Sequence, residues 1–134
     1  IVPLLEMLGN TITVIPDTVT QMFQYSDNNN PDNKLKGIVY APNLETVELR
    51  SIDDNSGMTT IIMPKVKTIK SQGFWASYGL KTVFIPNACT SLATNAFSVC
   101  GNLTNIYIDN VEGTFGDIAA DSSLPNLKVT YLRK

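Results

Sequence analysis

The sequence predicts a repeat solenoid of about six coils of roughly 22–25 residues, each giving one strand to a shared sheet. Three observations carry that prediction. Apolar residues open successive units at Leu35, Met58, Leu80, Leu103 and Leu127, and such regular recurrence over most of a chain marks a stacked array. Within the units apolar side chains recur at the fourth and sixth places, as Ile38 and Tyr40, Ile61 and Met63, Val83 and Ile85, Ile106 and Ile108. Such alternation is that of a strand with one buried face. Pro64 and Pro86 follow at once, where a residue without an N–H ends pairing and turns the chain.

Taken in order, residues 1–9 form an N-terminal capping segment and residues 10–134 the solenoid, with units starting near 10, 35, 58, 80, 103 and 127. The first segment groups Val2, Leu4, Leu5, Met7 and Leu8 around Glu6, with Pro3 suited to a first helical turn. An apolar piece of this kind covers the open core end of a solenoid. The unit from Asn10 is the least regular and runs into Asp27 to Asn33, DNNNPDN, a surface loop of turn formers. A calcium loop there fails the EF-hand pattern, with Asp32 where the turn Gly belongs and Ile38 where the bidentate Glu belongs.

Later in each unit a second apolar pair is expected to close the far side: Leu44 and Val47, Val66 and Ile69, Cys89 and Leu92, Val111 and Phe115. Ile52, Phe74 and Phe97 fill the coil interior. The stretch Glu112 to Pro125 departs from the pattern and reads as a C-terminal cap, after which the last unit ends at Arg133 and Lys134. Basic residues there blunt an exposed strand edge.

Composition excludes several classes of function. With 134 residues, 43% apolar and 16% charged, the chain suits one ordered domain. Ten basic against twelve acidic residues, a net charge of −2, provide no field for nucleic acid or an anionic membrane. Histidine is absent, which removes the commonest general base and transition-metal ligand. Cys89 and Cys100 form no CxxC and cannot complete a zinc site alone. No cofactor or metal is implied, no apolar run is long enough for membrane insertion, and the chain reads as no enzyme. It begins without Met and reads as a mature or excised fragment, so the lack of a signal peptide says nothing about export of a parent protein.

The unit L-x-x-V-x-I-P-x-x-C-x-x-L-x-x-x-A-F-x-x-C-x-N at Leu80 to Asn102 resembles the BspA-type leucine-rich repeat. Met58 to Gly79 matches well; Leu35 to Gly57 lacks the Phe and Cys, and the end units match less closely. The resemblance implies a right-handed, strand-rich solenoid on secreted or cell-surface bacterial proteins, used for adhesion or protein recognition. It lends no catalytic residues.

If the fourth and sixth places face inward, the fifth faces outward on the stacked sheet. Those residues are Val14, Val39, Ile62, Phe84, Tyr107 and Tyr131, a stripe running from apolar to aromatic. Gly37, Thr60, Thr82 and Asn105 neighbour it, with Lys36, Lys81 and Lys128 at the margins. An apolar centre with a polar rim is the composition of a recognition patch for a protein partner or for self-association. Strand propensity also favours such residues on a wet face, because cross-strand neighbours pack together. A second reading is a structural spacer or display module of a larger surface or phage-type protein. A third is a calcium-dependent carbohydrate binder using Asp27 to Asn33.

Cys89 and Cys100 are expected as buried thiols packing as small hydrophobes. Asp53, Asp54 and Asn55, and Asp117 with Asp121, fall in turns and suggest capping ahead of paired-carboxylate hydrolysis. Lys65, Lys67 and Lys70 form a basic spot on a solvated face. Asn102-Leu103-Thr104 is a glycosylation sequon whose central residue is a core position.

Overall fold

The computed structural model describes residues 2–22 and 35–134. The run Asp27 to Asn33, and with it the calcium-loop reading, lies outside the described residues. Among the described residues a short helix α1 (Val2–Met7) precedes ten strands. Six of them, β1 (Ile12–Val14), β3 (Gly37–Tyr40), β5 (Met58–Ile62), β7 (Thr82–Ile85), β9 (Asn105–Val111) and β10 (Lys128–Arg133), stack rung on rung as parallel neighbours. They enclose about five turns of a β-solenoid. Between β5 and β7 the regular ladder lapses. There the Lys81 N–H donates to the Thr59 carbonyl at 2.9 Å and the Thr60 hydroxyl donates to the Thr82 carbonyl.

The strands form because each rung carries β-branched or aromatic residues in alternation, and Pro16, Pro64 and Pro86 close β1, β5 and β7 soon after. Across the core runs a second parallel sheet of two-residue strands: β2 (Gln21–Met22), β4 (Thr46–Val47), β6 (Thr68–Ile69) and β8 (Ser91–Leu92). Met22, Val47, Ile69 and Leu92 point inward from it. Leu44, Val66 and Cys89 are buried beside them, as expected for the far side of each coil.

The third side has no strands among the described residues, yet it too is bonded from coil to coil. The Ile52 and Phe74 N–H groups donate to the Gly73 and Ala96 carbonyls, both at 2.9 Å. Behind this side lie the interior residues Ile52, Phe74 and Phe97, all buried, and the two rings stack at 5.1 Å with 11° between planes. A buried side chain of this size contributes about 1.5–3 kcal/mol by leaving water. Polar atoms inside are tied to the preceding coil: the Ser77 hydroxyl donates to the Ile52 carbonyl at 2.9 Å, and the Cys100 thiol to the Phe74 carbonyl at 3.0 Å.

The ends differ from the middle. α1 lies against β1 with Val2 and Leu5 half-buried, and leaves Leu4, Met7 and Leu8 exposed. In the last full coil β9 extends to Val111, which is exposed, so Val111 does not help close the far side as the sequence suggested. Glycine and threonine turn residues follow within Glu112 to Gly116, and a 3-10 turn at Ile118–Ala120 replaces the second strand. Ile118 and Leu124 fill that coil, with Phe115 packed at its edge.

Two rungs sit one residue away from where leucine spacing puts them. Leu35 and Met58 lie one position further apart in the chain than the strand partners that follow them, for Val39 opposes Ile61 and Tyr40 opposes Ile62. Thr59 stands between the partners of Gly37 and Ile38 as a bulge. Because strand side chains alternate, this single step reverses every facing in β3. Val39 and Ala41 are buried, whereas Ile38 and Tyr40 lie on the outer face. Likewise Leu103 and Leu127 lie one position further apart than the paired Asn105 and Lys128, which turns Tyr131 toward the core and Thr130 outward.

Gly37 makes the bulge possible. Its φ is +64°, and a Cβ there would lie 2.1 Å from the Thr11 carbonyl oxygen. Gly37→Ala is therefore expected to cost about 2–3 kcal/mol, combining left-handed strain with overpacking. At Gly101, where a Cβ meets nothing within 4 Å, substitution by Ala should stay within about 0.5 kcal/mol. Denaturant melts of both variants check this, and equal effects would sink the account of the bulge.

Cys89 and Cys100 are both buried free thiols, as expected from the repeat. Burial pushes the Cys100 thiol up from 9.0 to about 12. The folded chain then holds that proton more tightly than the unfolded chain. The contribution is complete below pH 9 and lost as pH rises toward 12. Between about pH 8 and about pH 10.5 the wild type should lose about 2 kcal/mol more stability than Cys100→Ala. Parallel slopes for the two proteins in urea titrations would contradict the assignment.

Candidate functional site

The outer face of the long sheet is built by the residues between the inward ones. Val14 opposes Tyr40, Tyr40 opposes Ile62, Phe84 opposes Tyr107, and Tyr107 opposes Thr130. Ile62 and Phe84 hold equivalent places on the adjacent rungs β5 and β7. The result is one continuous column across all six rungs. Of the residues expected in it from sequence, Val14, Ile62, Phe84 and Tyr107 are present. Val39 is 0% exposed and Tyr131 is packed against the core, for the register reasons given above. Tyr40 and Thr130 take their places.

Phe84 is 53% exposed and stacks on Tyr107 with ring centroids 5.2 Å apart and 20° between planes. Side chains stand roughly perpendicular to a sheet, so two rings facing each other along the solenoid axis present their edges to solvent. The pair is worth about 0.5–1.5 kcal/mol beyond burial. Thr60, Thr82 and Asn105 line the column, all half-buried, and Lys36, Lys81 and Lys128 stand exposed where strands open. Apolar material thus sits in the middle of the face and polar groups along one edge.

The other candidate groups are occupied in structural contacts. Lys67 and Lys70 pair with Glu45 and Glu48 of the preceding coil, both at 2.6 Å, and Lys65 donates to the Asn43 side chain at 2.9 Å. Hydrogen bonds from Lys67 and Lys70 hold the Glu45 and Glu48 carboxyls below the ordinary carboxylate range. Asp53 accepts from Arg50 at 3.1 Å, and that guanidinium lies 4.1 Å from the centre of the Trp75 ring. Nothing in the repeat pattern pointed to this Arg50, Asp53 and Trp75 cluster, since its members come from neighbouring coils.

Asp121 is drawn upward by burial, but hydrogen bonds from Ser98 and Ser123 outweigh that and keep it below the usual range. Asp117 precedes the 3-10 turn as its N-cap. The Asn102 amide donates to the Tyr78 carbonyl at 2.7 Å, and Leu103 is buried. Among the described residues no three His, Cys, Asp or Glu side chains come together as a metal site. A groove of about 640 Å³ lies at the last coil, lined by Phe115, Ile118, Val129 and Tyr131 together with Glu112 and Lys128. No described helix is long and apolar enough to cross a membrane.

Compared with known proteins, the chain matches no curated protein and no solved structure. A family model does match, that of the BspA type leucine rich repeat region, in six copies over residues 29–130. The stacked Phe74 and Phe97 and the inward Cys100 lie within the matched residues. This chain is a member of the BspA-type leucine-rich-repeat family.

Proposed function

We propose that this chain is a non-catalytic protein-recognition or adhesion module that works through the outer face of its long sheet, on a secreted or cell-surface bacterial protein. The observation that carries the reading is the exposed Phe84 and Tyr107 stack within an unbroken column from Val14 to Thr130. The buried core does not include these side chains. Membership of a repeat family associated with protein interaction supports the same reading. The column's centre comprises Tyr40, Ile62, Phe84 and Tyr107, and a partner side chain would pack against ring edges there.

The test selects peptide binders on the wild-type chain from a displayed library and measures them against Phe84→Glu and against Thr68→Glu on the short sheet. Circular dichroism confirms that both variants keep the fold, and light scattering reports self-association. Binders are expected to lose tenfold or more, about 1.4 kcal/mol, on Phe84→Glu and little on Thr68→Glu. Binders indifferent to Phe84, with an unchanged oligomeric state, would remove the sheet face as the recognition surface.

A further inference from the structure

The described cations of the chain fall into two populations. Outside one margin of the long sheet, and leaving aside the terminal Lys134, each has a partner: Lys67 and Lys70 with Glu45 and Glu48, Lys65 with Asn43, Arg50 with Asp53, and, at the far ends of β9 and β10, Arg133 with Asp109 at 2.7 Å. Lys36, Lys81 and Lys128 are exposed and, among the described residues, have no carboxylate within salt-bridge distance. All three stand on one margin of the column, where strands open. Lys36 immediately precedes β3, Lys81 immediately precedes β7, and Lys128 is the first residue of β10. Residues 35–38, 57–60, 80–82, 103–105 and 127–128, which form that margin, contain no Asp or Glu. A lone exposed lysine needs no explanation. Lys128 is level with Asn105 and Thr82, Lys81 stands one residue before that level, and Lys36 stands two residues before it at Ile38. The three form an oblique basic rim along one margin of the apolar column, with no ion-pair partner among the described residues.

The spacing of this rim narrows what fits. β3, β7 and β10 are alternate rungs of the long sheet. At the usual separation of neighbouring strands their lysines recur about every 9.5 Å along the solenoid axis. An α-helix laid along that axis brings a side chain back to the same face every seven residues, about 10.5 Å. Its i, i+3, i+4 apolar face would rest on the column while carboxylates at heptad spacing meet the lysines. Over two intervals the axial mismatch is about 2 Å, and the stagger across the strands is about 6.6 Å, which a small tilt of the helix and the flexible lysine stems take up. An acidic polysaccharide has the charge for the rim, but sugar rings stack on aromatic faces, and the facing sides of Phe84 and Tyr107 are engaged with each other.

We infer that the long-sheet face binds an acidic amphipathic helix of a protein partner, apolar side on Tyr40, Ile62, Phe84 and Tyr107, carboxylates on Lys36, Lys81 and Lys128. This rests on the recognition reading above and adds the partner's charge and shape.

The experiment uses the full chain and helical peptides of about 18 residues, a length set by two heptad intervals plus ends. One peptide carries a Leu and Phe face with Glu at heptad positions, one carries Lys in place of those Glu residues, and one has the Glu positions scrambled. Calorimetry at low and high salt measures their binding to wild type, to the triple variant Lys36→Glu, Lys81→Glu, Lys128→Glu, and to Phe84→Glu. The heptad-Glu peptide should bind wild type at least tenfold more tightly than the other two. Its binding should weaken on adding salt, drop at least tenfold on the triple variant, and drop on Phe84→Glu. The Lys peptide should prefer the triple variant.

Equal binding of the Glu and Lys peptides, lost on Phe84→Glu, overturns the charge inference and leaves the recognition column standing. Binding lost on the triple variant but indifferent to Phe84 overturns both the helix and the column. An acidic polysaccharide that outcompetes the peptide without depending on Phe84, or no peptide binding at all, also overturns the inference.

Discussion

Register between parallel rungs is the constraint on which the rest of this structure depends. In a solenoid every backbone donor and acceptor of a rung is shared with the rungs above and below, so the offset between neighbours decides which side chains enter the core. From β3 onward the offsets place a Val or Ile under the next on every rung: Val39, Ile61, Val83, Ile106, Val129. The step from Ile61 to Val83 equals that from Val39 to Ile61, although the ladder is interrupted there. Once this column is set, the outer column beside it is set as well, and the recognition face is a geometric by-product of core packing.

That dependence explains what the sequence made legible and what it hid. The repeat, the inward Phe74, Phe97 and Cys100, and the outward Phe84 and Tyr107 could be read because units Met58 and Leu80 share one count from anchor to strand. Val39 and Tyr131 were misplaced because the units Leu35 to Gly57 and Leu103 to Asn126 each carry one residue more than the ladder uses. The surplus is absorbed at Thr59 opposite the Gly37 step, and in the turns from Asp121 to Leu127. Spacing between leucines cannot say on which side of a strand an extra residue is taken up. The third-side turns were hidden for another reason: Asp54, Ala76 and Val99 hold one equivalent position at φ of 55°, 57° and 63°, with no glycine to mark it.

Charge is organised along the same axis as the core. On the short-sheet side, the coil-to-coil offset brings Glu45 to Lys67 and Glu48 to Lys70, so each coil's cations answer the previous coil's anions. Arg133 reaches back one coil to Asp109 in the same sense. A net charge of −2 therefore conceals an arrangement that, among the described residues, is locally neutral on the short-sheet side and locally basic on one margin of the long sheet. Bulk charge argued against nucleic acid; it carried no information about the rim, because sums erase arrangement.

Salt distinguishes these two electrostatic populations. Exposed ion pairs such as Lys67 with Glu45 contribute at most about 1 kcal/mol each and are screened at physiological ionic strength, so the fold rests on the buried column and the rung hydrogen bonds. The lysines of the rim contribute nothing to that fold and repel one another weakly across about 9.5 Å. Their energy appears only when an opposite charge approaches, and it grows as the apolar column beneath excludes water from the contact. A face built this way is quiet in the free molecule and selective in the complex. The register that buries Val39 brings Tyr40 onto the outer face between Val14 and Ile62, and so the same one-residue step that complicates the sequence pattern completes the column.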